Sequence, residues 1–286
     1  MLTDNMSEYA TSTAQRSANA GSEATATTDR DLVVVSNRQP YRHADDGADR
    51  TAGGLTAGLD PALQRVGGTW VAWGDGEADR EAVDDDDRVR VPPDDPSYDL
   101  RRVWLDEADV EGYYRGFANQ VLWPVCHSMP GHVRCKPGFW ERYRAVNDRF
   151  AEAAVEEAGP RSIVWLQDYH LALAPRALRR RLHPDATVAQ FWHVPWPDPE
   201  TFRACPHGEE LLRGLLGSDL LGFHVPRYRR HFLRSVDASI GDARVDLESG
   251  RVRHEDGVTR VVTRPMGVQA DRIRRRAASA EADDFW

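Results

Sequence analysis

Thr187-Val188-Ala189-Gln190-Phe191-Trp192 runs directly into His193-Val194-Pro195-Trp196-Pro197. The first part is a short apolar run that reads as a buried strand. Pro195 and Pro197 deny the chain both a ladder N–H and an immediate helix, so the strand must break after His193. A polar ring at the C-terminal end of a buried parallel strand is where open α/β sheets hold ligands. A solitary histidine there is more often a core side chain satisfied by backbone. A second segment of the same build, Ser162-Ile163-Val164-Trp165-Leu166 followed by Gln167-Asp168-Tyr169-His170, favours a site. Two such strands can present polar groups to one crevice.

Working outward, Leu32-Val33-Val34-Val35 is a β-branched run ending in Ser36-Asn37-Arg38, a third strand with a polar end. An Asp/Gly-rich loop follows to Ala52. Gly53-Gly54-Leu55 then opens a helix whose apolar positions are Leu55, Leu59, Leu63 and Val66. Such a glycine pair either lets an anion approach the helix N-terminus or simply makes a turn. Further strands are expected at Trp70–Trp73, Val89–Val91, Tyr98–Leu105 and Asp219–His224. Helices are expected at Glu107 to about Val121 (capped by Asp106), Phe139–Ala158, Leu171–Leu182, from Asp198, Gly208–Leu216 and Pro226–Ile240. Val245–Val262 reads as a hairpin turning at Asp256-Gly257, and Asp271–Phe285 as one helix. The Asp84–Asp87 run reads as solvated surface. Strand and helix alternate from residue 31 to 240, the signature of a doubly wound parallel, Rossmann-like α/β sheet.

Composition narrows the function classes. A net charge of −9 over 286 residues argues against a general nucleic-acid binder. No apolar stretch reaches the roughly 18 residues that a membrane span needs. Met1–Arg30 is polar, lacks the apolar core of a signal peptide and reads as a disordered tail. Three cysteines are too few for a disulfide framework and suit a reducing cytoplasm. Lys136 is the only lysine among 37 basic residues, and aspartate outnumbers glutamate. That acidic, lysine-poor balance resembles proteins of salt-loving, halophilic cells. Cys126, His127, His132 and Cys135 match no common zinc spacing, so no metal is expected. Nothing in the chain calls for a cofactor.

The motifs together resemble the trehalose-6-phosphate synthases, retaining glycosyltransferases of the two-domain glycosyltransferase-B fold. The resemblance is carried by Val34-Val35-Ser36-Asn37-Arg38, Ala52-Gly53-Gly54-Leu55, Trp70-Val71-Ala72-Trp73, Tyr113-Tyr114 and Leu122-Trp123-Pro124. It continues through Trp165-Leu166-Gln167-Asp168-Tyr169-His170-Leu171, Phe191–Pro197, Asp219–Phe223 and Pro265-Met266-Gly267-Val268. It implies transfer of glucose from a nucleoside diphosphate glucose to glucose 6-phosphate, in trehalose biosynthesis. Arg38 then grips the acceptor phosphate, with Tyr114, Trp123 and Asp168 in the acceptor pocket. Gly53, Gly54 and His193 meet the donor, and Trp123 and Val194 flank the anomeric centre. The leaving phosphate itself takes the acceptor proton, so Asp168 and His193 position sugars. An Asp168/His193 acid–base pair is the conventional alternative.

The same resemblance makes residues 31–268 the acceptor-side domain. Residues 269–286 become a linker helix toward a donor-binding domain that a separate chain could supply. A catalytically silent sugar-phosphate-binding module is a second reading. A synthase using another phosphorylated acceptor, such as glycerol 3-phosphate in osmolyte synthesis, is a third.

Overall fold

A computed structural model describes residues 31–45, 47–267 and 270–278. Strands lie where the apolar runs are. In chain order they are β1 (Leu32–Ser36), β2 (Tyr41–Ala44), β3 (Gly47–Arg50), β4 (Thr69–Trp73), β5 (Arg88–Val91) and β6 (Tyr98–Val103). Then come β7 (Ile163–Gln167), β8 (Thr187–Trp192), β9 (Leu220–Phe223), β10 (Arg244–Asp246), β11 (Arg251–His254) and β12 (Gly257–Thr263). All but β2 and β3 join one sheet in the order β10-β11-β12-β9-β8-β7-β1-β4-β6-β5. From β12 across to β6 every pairing is parallel, with antiparallel strands only at the two edges. This is the expected α/β, Rossmann-like class.

The chain winds from β1 to β4 on one side and resumes at β7 on the other, so the winding reverses between β1 and β7. Crevices at such switch points are where ligands bind. Period-two alternation divides the side chains: Val33 and Val35 enter one core, Val34 the other. Helices Phe139–Glu157, Ala174–Arg179, Gly208–Leu215 and Pro226–Ser239 complete the first core. Helix Gly54–Val66 lays Leu59 and Leu63 on the second face against Trp70 and Leu100. Each such buried side chain contributes about 1.5–3 kcal/mol. Beyond Gly58 and Leu59 of that helix the second face continues over β7, β8, β9 and β12. An apolar groove of about 670 Å³, walled by Trp165, Phe191, Val262 and Met266, lies there.

Several local expectations are corrected. The stretch expected as a loop before Ala52 folds into the β2–β3 hairpin. Buried Asp60 anchors it, accepting from Tyr41 Oη at 3.2 Å and pairing with Arg50 Nε at 2.8 Å. The helix expected from Glu107 is a single α-turn (Glu107–Asp109), then a π-helix (Val110–Leu122), then α-turns at Trp123–Cys126. Gly112 and Gly116 explain its close seat: an added Cβ would lie 2.7 Å from side-chain atoms of Arg142 and Phe139. The Leu171–Leu182 helix shrinks to Ala174–Arg179, because Asn147 Oδ1 captures the amides of Leu173 and Ala174 at 3.0 and 3.1 Å.

In the Val245–Val262 region three strands form, the turn is Glu255-Asp256, and β12 runs parallel to β9. Within the aspartate run, Asp87 is half-buried and accepts from Trp104 Nε1 at 2.7 Å. The last helix is seen as Ala270–Ala277. The tail at Met1–Arg30 and the remainder of the expected Asp271–Phe285 helix lie outside the described residues.

Candidate functional site

At the C-terminal ends of β1, β7 and β8 lies a cavity of about 360 Å³. Arg38, Gly53, Gly54, Tyr114, Trp123, Asp168, His193 and Val194 all line it. Every site residue singled out in the sequence is thus brought to one place, at the switch point.

Asp168 follows β7 with φ 68° and ψ 177°, a conformation costing a non-glycine residue about 1–3 kcal/mol. The end of β8 holds it there. Its amide donates to Phe191 O at 2.7 Å, Gln190 Nε2 donates to its carbonyl at 2.8 Å, and the His193 amide donates to Oδ1 at 3.2 Å. Burial pushes the carboxyl up to about 6, against the pull of the Tyr169, His193 and Val194 amides. At neutral pH it remains mostly a carboxylate, an acceptor suited to sugar hydroxyls.

The His193 imidazole is held by burial, and by nearby His224, at about 4, so it is neutral at pH 7. Its Nε2 lies 3.0 Å from Gln167 Oε1, an acceptor. The ring proton therefore sits on Nε2 and the Nδ1 lone pair is left to accept. The imidazole is bonded to Gln167, while Asp168 takes the backbone amide of His193. The two side chains form no hydrogen-bonded acid–base pair.

Arg38 has no carboxylate partner among the described residues. Its backbone is fixed from below: Trp70 Nε1 donates to Ser36 Oγ at 2.8 Å, and Ser36 Oγ donates to Arg38 O at 2.6 Å. Tyr114 stacks on His170 with centroids 5.6 Å apart, and Trp123 on His127 at 4.0 Å. Trp123 stays 39% exposed, a flat wall at the junction of the π-helix and its α-turn. Gly53 adopts φ 152° at the start of its helix, and an added Cβ on Gly53 or Gly54 would meet nothing within 4 Å. Both glycines therefore leave backbone open to a ligand.

Sequence reasoning quoted Asn37, Gln167, Tyr169 and His170 as motif residues without giving them roles, yet all four line the cavity. His170 is held by burial, then by the Arg38 charge, at about 3, and its Nε2 is buried without a partner. Among the described residues no group of three or more His, Cys, Asp or Glu is placed to hold a metal ion. Cys126 is buried and Cys135 exposed.

The family model described as Glycosyltransferase family 20 matches residues 30–284. The chain belongs to this family. Among curated relatives, the trehalose-6-phosphate synthase of Mycobacterium avium is 38% identical over 283 residues, which are 92% of this chain and 56% of the relative. That of Mycolicibacterium gilvum is 42% identical over 219 residues, 75% of this chain and 43% of the relative. The chain spans about half the length of the relatives it matches.

Solved members of the family share the fold. An α,α-trehalose-phosphate synthase (UDP-forming) from Burkholderia xenovorans, in complex with glucose-6-phosphate, superposes with a TM-score of 0.73 at 28% identity. It covers 88% of this chain and 53% of its own. The E. coli trehalose-6-phosphate structure bound with UDP-2-fluoro glucose gives 0.72 at 30% identity, covering 87% and 51%.

Proposed function

We propose that the cavity is the acceptor side of a retaining glucosyl transfer, in which glucose 6-phosphate receives glucose from a nucleoside diphosphate glucose to give trehalose 6-phosphate. The observation that carries this reading is the pairing, in one cavity, of an uncompensated Arg38 with the carboxylate of Asp168. A guanidinium fork suits a phosphate, and a carboxylate suits the hydroxyls of a sugar.

Tyr114 and Trp123 form the apolar walls against which the acceptor ring lies. Gly53 and Gly54, at a helix N-terminus, meet the donor, where backbone N–H groups favour an anion. His193 accepts from a hydroxyl of the transferred glucose through Nδ1, with Val194 beside the anomeric carbon. In the transfer the C1–O bond to the diphosphate breaks and the bond to the acceptor hydroxyl oxygen forms on the same face. The departing phosphate oxygen takes the hydroxyl proton, so no protein base is required.

Residues 31–268 serve as the acceptor-side domain, and the segment from 269 leads to a donor-binding domain in the same or a separate chain. Cys126, Cys135 and Cys205 are all free, which suits a reducing cytoplasm.

Calorimetry on the 286-residue chain tests the reading. Glucose 6-phosphate is expected to bind weakly and glucose not measurably. Arg38→Ala is expected to weaken glucose 6-phosphate by roughly ten- to a hundredfold, the cost of a charge-assisted contact of about 1.5–3 kcal/mol. Equal affinity for the two sugars overturns it.

A further inference from the structure

Arg38 and Tyr114 also line a second cavity of about 390 Å³ that adjoins the first. Its other walls include Arg42, Thr51, Trp73 and Asp75. Arg42 is 53% exposed at its side chain, yet it is not free to wander. Its Nε donates to Asp75 Oδ1 at 2.9 Å and its Nη2 to Asp75 Oδ2, a two-point grip. Asp75 also accepts from Gln39 Nε2 at 2.8 Å, and the same amide donates to buried Asp79 at 2.6 Å. Asp79 in turn pairs with fully buried Arg102 at 2.9 Å. A surface guanidinium is thereby tied to the core, with Nη1 left unused by Asp75. Pre-positioning of this kind reduces the ordering cost of binding.

Thr51 adds an independent sign. Its Oγ1 is buried and has no hydrogen-bond partner, while its amide is fixed on Pro40 O at 2.8 Å. A buried hydroxyl left unpaired is unfavourable, and a water, an ion or a ligand completes it at lower cost than leaving it bare. Both oxygens of Asp75 are already occupied by cationic or amide donors. The carboxylate therefore faces an incoming anion only through Arg42.

We propose that Arg42 and Thr51 complete the phosphate subsite with Arg38, the phosphate of the acceptor lying in this second cavity between the two guanidinium groups. The proposal rests on the acceptor reading above. Arg42 Nη1 donates to one phosphate oxygen and Thr51 Oγ1 to another, while Arg38 reaches across from the sugar side. Arg42 is then the residue that distinguishes a doubly charged phosphate from a singly charged group of the same shape.

The test is a calorimetric series on the 286-residue chain with glucose 6-phosphate and its monoanionic isostere, glucose 6-sulfate. The wild-type chain is expected to prefer the phosphate. Arg42→Gln is expected to weaken phosphate binding on the order of tenfold and to narrow the phosphate-to-sulfate ratio, whereas Arg42→Lys keeps most of that ratio. Thr51→Val is expected to weaken both ligands alike. A general structural fault in Arg42→Gln would lower both affinities without changing their ratio, and that result overturns the proposal. If the wild-type chain binds glucose 6-phosphate, Arg38→Ala loses it, and Arg42→Gln and Thr51→Val bind as wild type, the proposal fails and the acceptor reading stands. If the wild-type chain binds neither ligand, both fall.

Discussion

The backbone amide of His193 donates to the carboxylate of Asp168, 3.2 Å away, across the gap where β7 and β8 have just ended. A strained backbone at one residue is thus held by the chain direction of the other. Asp168→Asn keeps an acceptor oxygen for that amide and leaves the backbone strain at φ 68°, ψ 177° as it is in the aspartate. It is expected to fold like the wild type but to bind glucose 6-phosphate roughly tenfold more weakly, for want of the charge. Asp168→Ala keeps the strain and loses the bond, so urea unfolding should show a loss of about 1–3 kcal/mol. Equal stability of the two variants contradicts this account.

Acid should destabilise the fold before it protonates most carboxylates. His193 and His170 are held at about 4 and about 3, below the ordinary 6.5, so the folded state refuses protons that the unfolded state takes. Their contribution is whole above pH 6.5 and is lost progressively as pH falls toward those values. Asp168, raised from 3.8 to about 6, works the other way: its penalty at neutral pH is relieved as pH falls through 6. Two histidines outweigh one carboxylate in that window. The melting temperature is expected to fall between pH 6.5 and 4.5, and to fall less in His193→Gln. A level profile is the contrary result.

Asp79 and Arg102 make a fully buried ion pair beneath the second cavity. Removing one partner leaves an uncompensated charge, so Asp79→Ala should cost about 3–5 kcal/mol in denaturant unfolding. Replacing both, Asp79→Ala with Arg102→Met, should recover part of that loss. A double variant no more stable than the single one would show that the pair acts through the Gln39 and His43 contacts instead.

Incubated alone with nucleoside diphosphate glucose and glucose 6-phosphate, the 286-residue chain is expected to form no trehalose 6-phosphate. Aligning two reactants can supply about 7–11 kcal/mol of a barrier. The residues proposed to touch the donor are Gly53, Gly54 and His193, none of them a cation that could offset a leaving diphosphate. Chromatographic detection of sustained product formation by the purified chain overturns this expectation.

The sheet was legible in the sequence because its central strands are short apolar runs with polar ends, and β1, β7 and β8 each carry that mark. The convergence of Arg38, Asp168 and His193 followed from the same pattern. The named roles of Tyr114, Trp123 and the two glycines came from family resemblance, since periodicity alone does not separate them from core aromatics and turns. The π-helix was not legible: its apolar spacing over Val110–Leu122 mimics an α-helix, and nothing in the positions of Gly112 and Gly116 distinguishes the two until Arg142 and Phe139 are seated against them. Nor was the Arg42–Asp75–Gln39–Asp79–Arg102 chain, which joins residues far apart in sequence that meet only after the sheet has formed.

The bonds around Asp168 continue the β7–β8 ladder by one rung beyond the strands themselves. The sheet therefore acts as a ruler for the chemistry. Moving the carboxylate relative to the imidazole means slipping a whole residue, a step of about 3.3 Å. That slip also exchanges Phe191 in the groove with Trp192 in the core. Small adjustments of that spacing are thus closed to mutation. Variation in what the pocket accepts is confined to parts off the ladder: the β2–β3 hairpin, the loop at Gly53 and the π-helix that carries Tyr114.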